Sequence, residues 1–333
     1  MKVILPVAGA GLRLRPHTYT QPKPLIPVAG KAILATIIDR LILEPELDSI
    51  VLVIGYLGDK IQKFVQQRYP HLNIQFVYQE DRLGLGHAVW TARHIFKNDP
   101  EVLIVLGDII FDGDLAGIIK SPVSCLGVKK VEDPREFGVV ELGDDQSVRR
   151  LIEKPRIPKS NLALVGLYKI NEVPALISAL QYIIDHDIRT RNELQLTDAL
   201  MHMHELGTPF AITHLDLWFD CGKKEILLET NAMLLRNLSY ASNPTAYNFE
   251  NTIIIPPVSI GQNCKIQNSI IGPNVSIGDH ANLSHAIISD SIVGNFASIE
   301  EAVLNKSIIG NDAAIKGKCQ SLNLGDNTEI DFN

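Results

Sequence analysis

Residues 3–23 read VILPVAGAGLRLRPHTYTQPK, and this stretch decides how the rest of the chain is read. Val3–Val7 is a short apolar run rich in β-branched residues, the pattern of a buried central strand rather than a helix. Gly9 and Gly11 follow, set around Ala8 and Ala10. A segment with so little side chain lets backbone N–H groups approach a phosphate chain closely. Arg13, Arg15 and Lys23 then add three cations within eleven positions. Two other readings compete for the glycines. An ordinary strand-to-loop connection also uses them. A dinucleotide fingerprint would need its third glycine at position 14, where Leu14 stands, and Pro16 argues against a long helix starting at Gly11.

At 333 residues the chain has room for about two domains. Its 46% hydrophobic and 21% charged residues can bury a sizeable core. The formal charge of −7 and the scattering of its cations speak against nucleic acid as a partner. Cys125, Cys221, Cys264 and Cys319 lie far apart with no CxxC, so neither a disulfide framework nor a cysteine metal site is expected. No uncharged apolar run approaches the ~18–20 residues of a membrane span, and no signal-peptide pattern precedes the first strand. A cytoplasmic protein without membrane contact is expected.

Strand-like and helix-like segments alternate up to about residue 240. Lys31–Leu43 has helical spacing, Ser49–Tyr56 is strand, Asp59–Tyr69 helix and Asn73–Tyr78 strand. A helix from about Gly86 to Phe96 and the strand Val102–Leu106 follow. Repeated units of this kind predict an α/β, Rossmann-like, mainly parallel sheet with helices on both faces. Ligands of such sheets bind outside the carboxyl ends of the strands. Asp108 ends the apolar run Val102–Gly107, and a carboxylate there is costly unless something positive meets it. With no basic neighbour in sequence it suits Mg2+, which takes one or two carboxylates and completes its shell with phosphate oxygens and water. Asp112 and Asp114 read as turn or cap residues. Val173–His186 and Glu193–Leu206 read as amphipathic helices, and His202 and His204, two apart, as surface histidines. Asp220 ends a further strand, Leu217–Gly222, where a turn residue is the plain reading. Lys223–Leu238 reads as the closing helix.

After residue 250 the period changes. Ile260, Ile266, Ile271, Ile277, Leu283, Ile288, Val293, Ile299, Leu304, Ile309 and Ile315 recur every five or six positions, many followed by Gly, Asn or Asp. No α-helix has that period. It resembles the hexapeptide-repeat, left-handed parallel β-helix, in which aliphatic residues stack inward. The domains expected are 1–240, a linker 241–252, and a β-helix 253–333. About four coils can hold together, each buried isoleucine contributing ~1.5–3 kcal/mol.

Gly9-Ala10-Gly11-Leu12-Arg13-Leu14-Arg15-Pro16 and Pro22-Lys23-Pro24-Leu25 resemble the GxGTRLxP…PK signature of the sugar-1-phosphate nucleotidylyltransferases. The loop QEDRLGLGHA (79–88) and the opening PVAGAG look most like the glucose-1-phosphate uridylyltransferase branch, with thymidylyltransferases close behind. The resemblance implies nucleotidyl transfer from UTP or dTTP to a sugar 1-phosphate, glucose 1-phosphate by default. It places Ala8, Gly9, Gly11, Arg13, Gln79, Gly84 and Asp108 on the nucleotide. Gly138, Glu153, Lys154 and Val165 fall on the sugar phosphate, and Asp108 and Asp220 on Mg2+. Arg13, Lys23, Asp108 and Asp220 become the catalytic set. Leu12 departs from the family threonine and Asn192 from a glycine in its RGELQ[IL]TD motif. The alternatives are a non-catalytic sugar-nucleotide-binding regulatory subunit, a guanylyltransferase acting on mannose 1-phosphate, N-acetylglucosamine 1-phosphate as the sugar, and added acyltransferase activity in the β-helix. Against the last, His280 and His285 are its sole histidines, so the β-helix reads as a packing and assembly module. Exposed β-helix ends and edges predict a homo-oligomer.

Overall fold

The structure, a computed structural model, describes residues 1–237 and 249–317. The chain divides into two compact units, Met1–Thr230 and Asn231–Asn333. Most of the expected linker 241–252, and Cys319, lie outside the described residues.

In the first unit, β1 (Lys2–Pro6) runs into the glycine loop, and β2 (Pro27–Val28) and β3 (Lys31–Ala32) form a small antiparallel pair before α1 (Ile33–Leu41). That pairing uses Lys31 and Ala32, so the helix starts later than its apolar spacing predicts. Then come β4 (Ser49–Ile54), α2 (Gly58–Arg68) and β5 (Ile74–Tyr78). The expected helix over 86–96 is two, α3 (Leu85–Thr91) and α4 (Arg93–Phe96), joined at the fully buried Ala92. β6 (Val102–Val105), β7 (Ile109–Asp112), α5 (Leu115–Ile119) and β8 (Ser124–Lys130) follow.

β5, β4, β1 and β6 lie side by side and parallel in that order. Chain order therefore reverses between β1 and β6, which opens a crevice beyond their carboxyl ends. Ile4, Val51, Val53 and Ile104 enter one apolar cluster with Val89, Leu176, Leu180 and Leu200 of the helices. By strand alternation Val3, Leu5, Leu52 and Ile54, equally buried, belong to the opposite face. Burial on both sides explains why these strands read as unbroken apolar runs.

Beyond β6 the sheet is mixed. β9 (Gly138–Leu142) and β10 (Val148–Glu153) are joined by a tight turn, a connection too short for a parallel crossover, and pair antiparallel. β11 (Leu162–Ile170) runs antiparallel to β6, β8 and β9. Its register slips between Leu164 and Tyr168, and the bulge holds Val165 and the left-handed Gly166. α6 (Val173–Asp185) and α7 (Leu196–Glu205) cover this half, β12 (Phe210–His214) adds parallel to β8, and β13 (Leu217–Asp220) pairs antiparallel with β7. α8 (Lys224–Leu235) follows. α7 starts three residues later than its periodicity predicts. Leu194 spends its backbone groups elsewhere, its N–H on Leu83 O at 2.7 Å and its carbonyl on Gly86 N at 2.8 Å. Asn192, at φ 68°, stands in the left-handed region where asparagine is a good substitute for glycine.

The second unit contains three parallel four-stranded sheets wound as a left-handed β-helix. Three aliphatic stacks fill it: Ile254–Ile271–Ile288–Leu304, Ile260–Ile277–Val293–Ile309 and Ile266–Leu283–Ile299–Ile315. Left-handed residues such as Asn268, Asn274, Asp290 and Asp312 turn its corners. At one corner the Oδ1 atoms of Asp279, Asn295 and Asn311 each accept from the backbone N–H of the coil below, at 2.7–2.9 Å. His280, also left-handed, stacks on Phe296 at 4.8 Å.

Candidate active site

The crevice at the β1/β6 switch point is a cleft of about 550 Å³, and every residue of the expected catalytic, nucleotide, sugar-phosphate and metal sets lines it, whereas Arg15 does not. Arg15 instead lies over the Tyr19 ring, 4.9 Å from its centroid. The glycine loop forms one wall. Gly11 has φ 61°, and a Cβ there would stand 3.0 Å from both Lys23 Cβ and Thr18 Cγ2, so the loop packs onto the Lys23 segment only with glycine at that place. Thr18 Oγ1 donates to Gly11 O at 2.9 Å and fixes the turn.

At the centre is a charge quartet. Lys23 Nζ donates to Asp108 Oδ2 at 2.6 Å and stands 3.7 Å from Asp220 Oδ1, while Arg13 Nη2 is 3.6 Å from Asp220 Oδ2. Asp108 thus has a cationic partner 85 positions away in the chain, which no local reading supplies. The β7–β13 ladder brings the two aspartates together: Asp220 pairs with Ile109, and Cys221 N–H donates to Asp108 O at 3.0 Å. The Lys23 side chain is 10% exposed, Asp220 21% and Asp108 35%. Burial opposes the Lys23 charge, but Asp108 and Asp220 outweigh it and raise its pKa above the ordinary value. Burial likewise opposes the Asp108 carboxylate, yet Lys23 and then Arg13 hold its pKa below the usual range. Asp220 is pushed up, by burial first and by Asp108's charge second. Two neighbouring carboxylates are thus driven apart in pKa, as expected where like charges share a site.

Among the described residues no three His, Cys, Asp or Glu side chains cluster into a metal cage. Two carboxylates facing an open cleft still suit Mg2+, which binds through one or two of them and otherwise through phosphate and water oxygens.

At one end of the cleft, Gln79 directly follows β5, 4% exposed, its N–H donated to Ile54 O. Its Nε2 makes two contacts at 3.1 Å, to Gly84 O and to His87 Nδ1. At the other end, Glu153 closes β10, and its Oε2 accepts from Thr197 Oγ1 at 2.7 Å. Lys154 follows at φ 42°, a left-handed conformation rare for a lysine, with its Nζ 3.4 Å from Glu153 Oε1. Strain of this kind persists where the surroundings over-determine it: Lys154 N–H is fixed to Phe137 O at 2.9 Å. Gly138 and Val165 of the bulge complete this wall.

The sequence model of the nucleotidyl transferase family matches residues 2–237. The chain belongs to that family. Among its relatives, the bifunctional protein GlmU of Methanococcus vannielii is 34% identical over 261 residues, 77% of this chain and 59% of that protein. GlmU of Methanocaldococcus jannaschii is 38% identical over 239 residues, 72% and 55% of the two chains. The chain therefore spans little more than half the length of these bifunctional relatives. A glucose-1-phosphate thymidylyltransferase of Streptomyces antibioticus is 32% identical over 274 residues, 80% of this chain and 74% of that one. A solved UDP-glucose pyrophosphorylase complexed with UDP-glucose shares the fold, with a TM-score of 0.59 at 22% identity over 71% of this chain and 98% of that one.

The cleft also holds residues that sequence reasoning did not single out. Thr197 orients Glu153, and Gln195 Nε2 donates to Glu193 Oε2 at 2.9 Å. Trp218 packs edge-on against Phe137 at 4.9 Å, and its indole N–H is buried without a partner among the described residues. The motif at 191–198 was the available signal for Glu193, Gln195 and Thr197. His202 stacks face to face on Tyr182 at 3.9 Å, half-buried and outside the cleft. Cys125, Cys221 and Cys264 are free thiols, and burial pushes Cys221 up to about 12. No described helix is long and apolar enough to cross a membrane.

Proposed function

We propose that the cleft transfers the nucleotidyl group of UTP or dTTP to a hexose 1-phosphate, glucose 1-phosphate first, and releases pyrophosphate. The observation that carries this reading is the Lys23–Asp108–Asp220–Arg13 quartet, set at the switch point beside the glycine loop. A phosphate oxygen of the sugar phosphate attacks the α-phosphorus; a P–O bond forms there as the bond to the β-phosphate oxygen breaks. The nucleophile is already anionic at neutral pH, so the work is alignment and charge neutralisation.

The quartet is internally neutral, with two cations and two carboxylates. Asp108 and Asp220 would hold Mg2+, which supplies charge neutralisation on the phosphates when bound. Lys23, displaced from the carboxylates, meets the α-phosphoryl oxygens, and Arg13, half-exposed, turns to the departing pyrophosphate. The backbone of Ala8–Gly11 cradles the triphosphate tail. Lys154 neutralises the incoming phosphate, and Glu153, held by Thr197, accepts sugar hydroxyls. The name of the Streptomyces relative supports glucose 1-phosphate, and N-acetylglucosamine 1-phosphate stands next. Self-association through the β-helix and cytoplasmic residence belong to the same proposal.

Leu12, 61% exposed on the loop where the family carries a threonine, favours a second reading: a regulatory subunit that binds sugar nucleotides without turning them over. Pyrophosphate release, followed for each nucleoside triphosphate against each sugar 1-phosphate with Mg2+, tests both. Release with UTP or dTTP and a hexose phosphate is expected. Nucleotide binding without release would favour the regulatory reading.

A further inference from the structure

We propose that His87 sets the base preference of the cleft by locking the Gln79 side-chain amide in the orientation that offers an oxygen, not an NH2 group, to the bound base. This rests on the reading of the cleft as a nucleoside triphosphate site with Gln79 at its base end.

An amide nitrogen donates two hydrogen bonds and accepts none. Gln79 Nε2 lies 3.1 Å from Gly84 O, which can only accept, and 3.1 Å from His87 Nδ1. With the amide in this orientation the second contact is a hydrogen bond only if Nδ1 carries a lone pair, which the neutral tautomer protonated on Nε2 provides. Both Nε2 hydrogens are then committed inside the protein. Oε1 is the polar side-chain atom left for a ligand.

An acceptor there suits the N3–H of uracil or thymine and repels the unprotonated N3 of cytosine. The opposite amide orientation would place oxygen against Gly84 O, two acceptors face to face, unless position 87 supplied a compensating proton. A donor at 87 is therefore what could turn the amide over, and His87 in its neutral Nε2–H tautomer withholds it. The ring is positioned for this. His87 lies on α3 and stacks on Trp90, centroids 5.8 Å apart, and the Arg93 guanidinium covers Trp90 at 3.5 Å. Burial holds the imidazole below its ordinary pKa although the Asp81 carboxylate and a hydrogen bond to the Asp81 backbone oppose the shift. His87 does not line the cleft, so it acts through Gln79 as a positioning residue.

Two measurements test this. The 15N spectrum of the His87 ring in the unliganded protein at pH 7.5 reads the tautomer without any substrate; Nδ1 unprotonated with Nε2–H is expected, and a protonated Nδ1 would overturn the proposal. Steady-state kinetics with UTP and CTP then compare the wild type with His87→Gln, which keeps an acceptor, and His87→Lys, which offers only donors. His87→Gln should hold the UTP/CTP ratio of kcat/KM within about threefold, and His87→Lys should lower it by about tenfold or more, chiefly through KM. An unchanged ratio in a folded His87→Lys protein would overturn the clamp while leaving nucleotidyl transfer intact. A wild type that turns over no pyrimidine triphosphate would defeat the functional reading itself, whatever tautomer the spectrum shows, and the base preference with it.

Discussion

Replacing Lys23 by Met keeps the length of the side chain and removes its charge, which isolates the role of the quartet. Lys23 donates a charge-assisted hydrogen bond to Asp108 at 2.6 Å and lies 3.7 Å from Asp220. Such a bond contributes ~1.5–3 kcal/mol to stability, and with Asp108 35% exposed to the cleft the lower end applies. The larger effect should be on turnover. A preorganised cation that meets charge developing in the transition state is worth ~2.7–4 kcal/mol, or ~10²–10³ in kcat. The two aspartates, left with Arg13 as their nearest cation, should bind Mg2+ more tightly in the absence of nucleotide, because no fixed ammonium competes for them. Pyrophosphate release gives kcat, calorimetric Mg2+ titration gives the metal affinity, and thermal unfolding reports the stability cost. A folded Lys23→Met protein with turnover within about threefold of wild type would refute the assignment of Lys23 to transition-state charge.

Other expectations follow from single contacts. Thr197→Val removes the 2.7 Å bond to Glu153 with little change of shape, and should raise KM for the sugar phosphate about fivefold with kcat nearly unchanged. Ile288→Ala opens a hole between Ile271 and Leu304 in a β-helix stack and should cost ~2–5 kcal/mol, read as a lowered melting temperature of the second unit. His17 and His87 have pKa values lowered by burial, with Lys224 adding to the effect at His17. Between those folded values and the unfolded value near 6.5 the unfolded chain binds more protons. Stability is therefore full above pH ~6.5 and is lost as pH falls through the folded pKa values. Melting temperature should decline from pH 7.5 to 5.5, and His17→Gln should flatten that decline.

The parts of the fold carried by local pattern were legible in the sequence. The first strand, the glycine loop and the five-to-six-residue aliphatic period each depend on neighbours close in the chain, and the stacks contain every aliphatic position that the period picks out. What escaped was set by distant partners. The Lys23–Asp108 bond spans 85 residues, so Asp108 looked unpaired. The start of α7 is fixed by hydrogen bonds from Leu194 to the 83–86 loop, which periodicity cannot register. Thr197 lies inside a legible motif, but its bond to Glu153 and the contact of His87 with Gln79 join residues of different elements, and the antiparallel half of the sheet follows from a turn length, not from strand composition.

The central claim is that the sugar phosphate oxygen attacks the nucleotide α-phosphorus in this cleft. Incubating the protein with Mg2+, UTP and glucose 1-phosphate carrying 18O in its phosphate, then analysing the products by 31P NMR and mass spectrometry, addresses it directly. The account predicts all of the label in UDP-glucose and none in the released pyrophosphate. Label in the pyrophosphate, or no sugar nucleotide from any imide-bearing pyrimidine triphosphate and hexose 1-phosphate, would contradict it.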